Sequence, residues 1–142
     1  MKIPVILTAL CLLAACKPVN FAARNQLSIE DRANAVATLR RNAAAYSAGD
    51  LKTFRSTLDE ESPDLEFDME EEEARLALFE PTIGVRGARI VSESPGKVAI
   101  RYEATIEFRR TGKRSVMDAE SVLLRTKTGW AITSTRFLSR PR

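Results

Sequence analysis

The sequence VAIRYEATIEFR, residues 98–109, alternates between apolar and polar side chains from its third position onward. Successive side chains of a β-strand point to opposite faces of the sheet. One face of this strand is therefore predicted to be apolar and to carry Val98, Ile100, Tyr102, Ala104, Ile106 and Phe108. The opposite face would carry Arg101, Glu103, Thr105, Glu107 and Arg109. This pattern is typical of an antiparallel strand with one side on the core and the other in water.

Three more alternating segments surround this strand, and the four predicted strands cover residues 85–93, 98–109, 115–126 and 130–138. Pro95 and Gly96 occupy the two central positions of a type II turn between the first two strands. Gly112 and Gly129 mark the other two turns. Short connections of this kind join antiparallel neighbours. We expect the basic tail, residues 139–142, to be frayed.

A long helix is predicted before the strands. Ser28 and Asp31 match a capping box at its start, and Gly49 stands where a left-handed residue usually ends a helix. Apolar side chains then recur at spacings of three and four, which predicts one buried helical face made of Ile29, Ala33, Val36, Leu39, Ala43 and Tyr46.

Two shorter helices follow in the predicted order. Asp50 caps the second helix, which buries Leu51, Phe54 and Leu58 and ends at Ser62-Pro63. The third helix covers residues 69–79 with Asp68 as its N-cap. Glutamates 70–73 lie in its first turns, where the helix dipole favours anions. Helices followed by a meander of strands predict an α+β domain.

The N-terminus has the parts of a secretory signal. Lys2 precedes an apolar run over residues 3–15, which is too short to cross a bilayer as a helix. The sequence LAAC, ending at Cys16, resembles the lipobox of bacterial lipoproteins. This resemblance implies cleavage before Cys16 and attachment of a diacylglycerol to its thiol, with acyl chains such as palmitate. An uncut or differently cut signal peptide with an incidental Cys16 is the alternative.

The lipobox resemblance implies a membrane-anchored protein of the cell envelope. Residues 1–15 would be the signal peptide and residues 16–27 a lipidated tether. Lys17 stands where an aspartate usually marks retention in the inner membrane, so we expect the outer membrane, facing the periplasm. Cys11 would be lost with the signal, which leaves the mature domain without disulfides.

Charge is sorted along the chain. Residues 59–80 hold 11 acidic residues and 1 basic residue, whereas residues 84–142 hold 13 basic and 5 acidic residues. The basic strands bring no set of stacking aromatic residues, so we expect no nucleic acid partner. Anionic headgroups or an acidic protein are better partners for these basic strands, and plain solubility explains their charge better still; Arg136, Arg140 and Arg142 are the cations to test.

The chain contains no histidine. That removes the commonest general base and the commonest metal ligand, and it excludes a Ser-His-Asp or Cys-His nucleophile system. Asp64, Glu66 and Asp68 alternate as ligands of a calcium loop can, but Met69 stands where that loop needs glycine. A solvated helix face explains the acidic run better. We expect no metal ion and no cofactor.

The segment AAYSAGDLKTF, residues 44–54, resembles the helix–Gly-Asp–helix opening of the nuclear transport factor 2-like superfamily. GWAI, residues 129–132, resembles the start of its last strand, and the order of elements agrees over one domain, residues 28–138. The resemblance implies a cystatin-like α+β cone with N-terminal helices packed on a curved four-stranded antiparallel sheet, often around a pocket. Because the superfamily includes isomerases, cyclases, dehydratases, carriers and scaffolds, it does not select a function.

Tyr46, Tyr102 and Asp118 are candidates for chemistry in such a pocket. The two tyrosines could point into one cavity, and Asp118 shares a strand face with Glu120. A carboxylate in an apolar pocket can act as acid or base, and a buried tyrosine can donate to an enolate. Alternatively, the tyrosines are core residues with a solvated hydroxyl, and both acids face water.

We therefore expect a non-enzymatic envelope lipoprotein that associates with a protein or binds a small apolar ligand. Lipid on Cys16 would attach it to the membrane, and the sheet would offer a face to a second copy or to an envelope protein. One alternative is an isomerase- or cyclase-type enzyme, and another is a secretion or conjugation accessory protein. A filled cone would favour the binding role, and an open pocket with convergent polar groups would favour chemistry.

Overall fold

The computed structural model describes residues 26–142 with the exception of Asp64 and Glu66. The predicted signal peptide, the predicted lipidation site Cys16 and most of the tether lie outside the described residues. Within the part that is described, no helix combines the length and the apolar character that crossing a bilayer requires.

Within the described residues the helices are α1 (Ile29–Ser47), α2 (Leu51–Ser56) and α3 (Met69–Phe79). All three predicted N-caps are confirmed: backbone N–H groups donate to Ser28 Oγ at 3.0 Å, Asp50 Oδ1 at 3.1 Å and Asp68 Oδ1 at 2.9 Å. Each cap satisfies a donor that the first turn of a helix leaves free. Gly49 has φ +72°, as expected for the residue that ends α1.

The buried face of α1 differs from the prediction at its start. Ile29 is 86% exposed and Ala33 is also exposed. The buried residues are Ala35, Thr38, Leu39, Ala43 and Ala45. Small side chains let the helix approach the sheet closely, and the contact begins one turn later than periodicity indicates.

The chain leaves α2 earlier than predicted, at Ser56 rather than at Ser62-Pro63. Backbone pairing with a strand explains the early end. The Asp59 N–H donates to the Ile132 carbonyl at 2.8 Å, and the Ile132 N–H donates to the Thr57 carbonyl at 2.8 Å. These two bonds fix the segment after α2 against the edge of the sheet.

The strands are β1 (Pro81–Ser94), β2 (Lys97–Phe108), β3 (Lys113–Thr126) and β4 (Gly129–Phe137). They form one antiparallel sheet in the order β1-β2-β3-β4, which confirms the predicted meander and the α+β class. Gly96 has φ +80°, as the predicted type II turn requires. β1 begins at Pro81 rather than Val85, because Pro81 already pairs with Phe108. Bulges in β1 and β4 bend the sheet.

The core lies between α1 and the inner face of the sheet. Ile100 and Leu123 are fully buried there, and Ile132 is 2% exposed. The same cluster includes Leu27, Ala35, Leu39, Val98, Tyr102, Ala104, Ala119 and Trp130. The predicted apolar face of β2 therefore faces the core, as its alternation indicates.

The C-terminal tail is ordered, and the prediction of a frayed end is wrong. The Val116 N–H donates to the Arg142 carbonyl, and the Arg142 N–H donates to the Val116 carbonyl, both at 3.0 Å. The Asp118 N–H donates to Ser139 Oγ at 2.9 Å. Beyond β4 the tail thus continues the pairing along β3, which composition alone could not indicate.

Candidate functional site

A cavity of about 480 Å³ lies between the helices and the inner face of the sheet. α1 contributes Leu39 and Ala43 to its wall, and β2 contributes Ala104 and Ile106. The chain has 6 Phe, 2 Tyr and 1 Trp, and most of them line this space: Tyr46, Phe54, Phe79, Tyr102, Phe108 and Phe137. The cavity is therefore mainly apolar, and aromatic rings form about a third of its lining residues.

Aromatic pairs connect the helices to each other and to the sheet around this cavity. The Tyr46 and Phe54 ring centroids are 4.9 Å apart, and those of Phe79 and Phe108 are 5.9 Å apart with an edge-on orientation. Contacts of this geometry stabilise beyond the area they bury. Phe79 and Phe137 remain about half exposed, at 47% and 55%, so the cavity has an open, apolar rim.

One cluster of polar side chains in the cavity joins α1 to α3. Tyr46 Oη donates to Glu72 Oε2 at 2.7 Å, and Arg75 Nη1 donates to the other oxygen of Glu72 at 3.1 Å. The Glu72 side chain is only 14% exposed. Burial, together with this carboxylate, raises the pKa of Tyr46. The tyrosine is therefore a neutral hydrogen-bond donor at physiological pH.

The second polar group lies on the sheet. Tyr102 Oη is 2.9 Å from Ser121 Oγ, which is 2.7 Å from Thr135 Oγ1, and either partner of each contact can donate. Burial raises the pKa of Tyr102, which is 8% exposed. If Ser121 donates to Tyr102, the tyrosine hydrogen becomes available to an acceptor inside the cavity.

Asp118 lies on the opposite face of the sheet from these tyrosines. It pairs with Glu103 in the register, whereas Tyr102 pairs with Ala119, and side chains at directly paired positions share a face. Asp118 Oδ2 is 3.7 Å from an Arg142 nitrogen. The structure thus brings Tyr46 and Tyr102 to one cavity and leaves Asp118 outside it.

Glu120 shares the outer face with Asp118. Arg101 donates to one of its oxygens at 2.9 Å, and Arg136 donates to the other at 2.7 Å. These hydrogen bonds, that of Arg101 first, lower the pKa of Glu120. The basic outer face is consequently an ion-paired surface, and Arg140 of the tail is exposed. Of the proposed calcium ligands, Asp68 caps α3, and the other two lie outside the described residues.

Sequence reasoning missed Glu72 because it treated glutamates 70–73 as one solvated group. A signal was present: Met69, Glu72, Leu76 and Phe79 recur at spacings of three, four and three, so Glu72 is the acid on the apolar face of α3. A single carboxylate on an apolar helix face indicates a specific partner, which here is Tyr46.

No protein-family model and no curated protein matches this sequence. Solved structures do match. A protein of unknown function with a cystatin-like fold from Nostoc punctiforme is 14% identical and has a TM-score of 0.64 over 79% of this chain and 92% of that chain. A candidate dehydratase of the NTF2-like family from Streptomyces avermitilis is 12% identical, with a TM-score of 0.58 over 75% and 93%.

A candidate aromatic ring hydroxylase from Novosphingobium aromaticivorans is similar too, with 13% identity and a TM-score of 0.58 over 82% of this chain and 95% of that chain. At such identities the likeness concerns the backbone and not the chemistry. The order of elements, the meander and these similarities agree with one another. The chain has the α+β fold of the cystatin-like and NTF2-like proteins.

Proposed function

We propose that this chain is an envelope lipoprotein whose domain binds a small, ring-bearing apolar ligand in the cavity. The observation that carries the proposal is the cavity itself. Its volume of about 480 Å³ lies within the range typical of small-molecule sites. A few polar groups in a mostly apolar wall are the usual composition of such sites.

The polar groups of the cavity favour binding over catalysis. Tyr46, Glu72 and Arg75 already satisfy one another, and Tyr102 is bonded to Ser121. A ligand would therefore gain most of its affinity from contact with the aromatic rings. Tyr102 would supply one directional hydrogen bond to a ligand acceptor and so fix its orientation.

A fluorescent apolar ring compound, N-phenyl-1-naphthylamine, tests the proposal. We expect its emission to rise when it is titrated with the full chain. Ala104 is 4% exposed and lines the cavity, so Ala104→Phe fills the space and should weaken binding at least about tenfold.

Ala99→Phe is the matched control, because Ala99 lies on the same strand and faces the opposite side of the sheet. It should bind the probe as the parent does. The buried Trp130, 5% exposed, reports by its own fluorescence whether each variant is folded. Equal binding by folded Ala104→Phe and by the parent would contradict the proposal.

An isomerase- or cyclase-type enzyme is the second candidate. One observation favours it: the cavity is open, and the pair of Tyr46 and Glu72 is a hydroxyl donor beside a carboxylate. Such a pair can protonate one atom of a bound molecule and accept a proton from another. Mass spectrometry of a bound ligand after incubation would separate the candidates, because a product formed by the parent and absent with Glu72→Gln indicates chemistry.

The membrane anchor is part of the proposal and is supported by the lipobox-like sequence before Cys16. Two or three acyl chains are enough for stable attachment, since each buried methylene contributes about 0.8 kcal/mol. We expect the intact protein in the outer-membrane fraction and Cys16→Ser released from it. Mass spectrometry that finds an unmodified Cys16 in the mature protein would contradict the anchor.

A protein partner on the outer face of the sheet completes the proposal. That face presents ion pairs such as Arg101 with Glu120, which suit a polar interface with a second copy or an envelope protein. Crosslinking in cells through Glu107→Cys on this face should capture that partner. The control is Glu70→Cys on α3. If Glu107→Cys captures no more protein than this control does, the proposed partner on the outer face is contradicted.

A further inference from the structure

A second concave site lies on a different face of α1. It is a groove of about 650 Å³ between α1, the end of α2 and the turn joining β3 to β4. Asp31, Asn34, Thr38 and Arg41 recur along α1 at spacings of three, four and three, so they share one helix face that lines it. No residue lines both this groove and the aromatic cavity.

The groove is positively charged. Arg41 comes from α1, Arg125 from the end of β3 and Lys127 from the following turn, whereas Asp31 is the one carboxylate among the residues that line it. Cations gathered from separate elements into one concave, polar surface concentrate positive potential there. The outer face of the sheet is different, because there Arg101 and Arg136 both form ion pairs with Glu120.

Arg125 is held in position. Its guanidinium forms an ion pair with Asp31 and lies 5.7 Å from the centroid of the Trp130 ring. A guanidinium that is stacked and paired on one side is oriented in advance, so less side-chain entropy is lost when it meets a second anion. The Asp31 carboxylate compensates only one of the three cations.

Arg41 and Lys127 have no carboxylate partner among the residues that the structure describes. The Asn34 side-chain amide also forms no hydrogen bond within that part of the chain, although the Asn34 backbone carbonyl accepts one from Thr38 Oγ1. The groove therefore offers two uncompensated cations and an amide donor. This set matches a compact oxyanion that accepts several charge-assisted hydrogen bonds.

The geometry points to a binding site for a phosphate-bearing anion in this groove, with Arg41 and Lys127 as its principal ligands and Arg125 as an oriented neighbour. Tetrahedral phosphate presents oxygens in several directions, which suits donors arriving from three elements.

The phosphate could belong to a soluble monoester or to a lipid headgroup. The lipid source rests on the proposed anchor. Asp31 lies in the first turn of α1, and the nine residues between Cys16 and the described chain, residues 17–25, let the two be at most about 35 Å apart. A groove near this end of the domain would then be within reach of anionic headgroups. The soluble source needs no anchor.

Two titrations test the site, both on the full chain carrying Cys16→Ser so that no lipid anchor contributes. The first is calorimetry with glycerol 3-phosphate. The second is flotation with vesicles of phosphatidylcholine, with or without phosphatidylglycerol. We expect Arg41→Gln together with Lys127→Gln to weaken whichever interaction the parent shows, by about tenfold for each cation lost.

The matched control is Lys113→Gln together with Arg114→Gln, at the start of β3. It removes the same two kinds of charge from a part of the surface outside the groove. Binding of glycerol 3-phosphate that the groove pair alone weakens indicates a soluble ligand. Binding that is specific to phosphatidylglycerol vesicles, again lost only in the groove pair, indicates a headgroup.

Two results would overturn the inference. One is a parent that binds neither glycerol 3-phosphate nor anionic vesicles at low salt. The other is a control pair that weakens binding as much as the groove pair, since that would reflect net charge and not a site. Trp130 fluorescence reports whether the groove pair is folded. If the groove pair does not fold, the single variant Arg41→Lys, which keeps the charge, should still fold and bind.

Discussion

The hydrogen bond between Tyr46 and Glu72 should control how easily α3 opens over the cavity. Tyr46→Phe removes the hydroxyl and keeps the ring that packs on Phe54. No residue of α3 is buried, so the helix has little apolar burial to hold it in place. The bond to Glu72 and the ring contact of Phe79 with Phe108 are therefore important attachments.

The size of the effect follows from the geometry. A hydrogen bond to a charged acceptor contributes about 1.5–3 kcal/mol, and partial solvation at Tyr46 reduces this to about 1–2 kcal/mol. Such a loss raises the open population of α3 by about 5–30-fold. Because the loss concerns local opening, the free energy of global unfolding should change less than the opening of α3 does.

Hydrogen exchange followed by mass spectrometry measures this directly. Peptides that cover α3 should exchange about 5–30-fold faster in Tyr46→Phe, whereas peptides that cover β2 should keep the exchange rate of the parent. Tyr102→Phe is the control, since its hydroxyl bonds to Ser121 on the sheet. Unchanged exchange of α3, or equal acceleration of α3 and β2, would refute the reasoning.

Three further predictions concern stability. Ile100→Ala should lower the free energy of unfolding in urea by about 2–5 kcal/mol, because Ile100 is fully buried, whereas Val91→Ala at a 40% exposed site should cost less than about 1 kcal/mol. Gly49→Ala should lower the free energy of unfolding by about 1 kcal/mol, because Gly49 has φ +72°. Gly84→Ala should lower it less, since its added Cβ would lie in ordinary contact, 3.6 Å from the nearest side-chain atom. Thermal melts compare the two variants. The pKa of Glu120 is lowered from 4.5 in the folded chain. The ionised carboxylate therefore stabilises the fold fully above about pH 4.5, and this contribution is lost as the pH falls through the lower pKa of the folded chain. The melting temperature of Glu120→Gln should therefore fall less than that of the parent between about pH 6 and pH 3, and parallel profiles would contradict this.

The aromatic cavity shows how far sequence reasoning reached. Tyr46 and Tyr102 were both predicted from helical and strand periodicity to face a shared space, and both line the cavity. Glu72 was missed, and Asp118 lies on the other face of the sheet. Periodicity states which side chains share a face of one element. It does not state which faces of different elements meet.

The order and type of the elements, the meander and the N-caps of all three helices followed from the amino-acid sequence alone, because alternation with period two and capping by Ser28, Asp50 or Asp68 depend on neighbours within a few residues. The end of α2 and the start of β1 did not, because both depend on pairing with another strand. Tertiary structure decided the rest. Tyr46 and Glu72 are 26 residues apart, and the cations of the groove come from α1 and from a turn near the end of the chain. Contacts of that range form only after the helices have packed on the sheet, so local sequence patterns do not indicate which residues will make them.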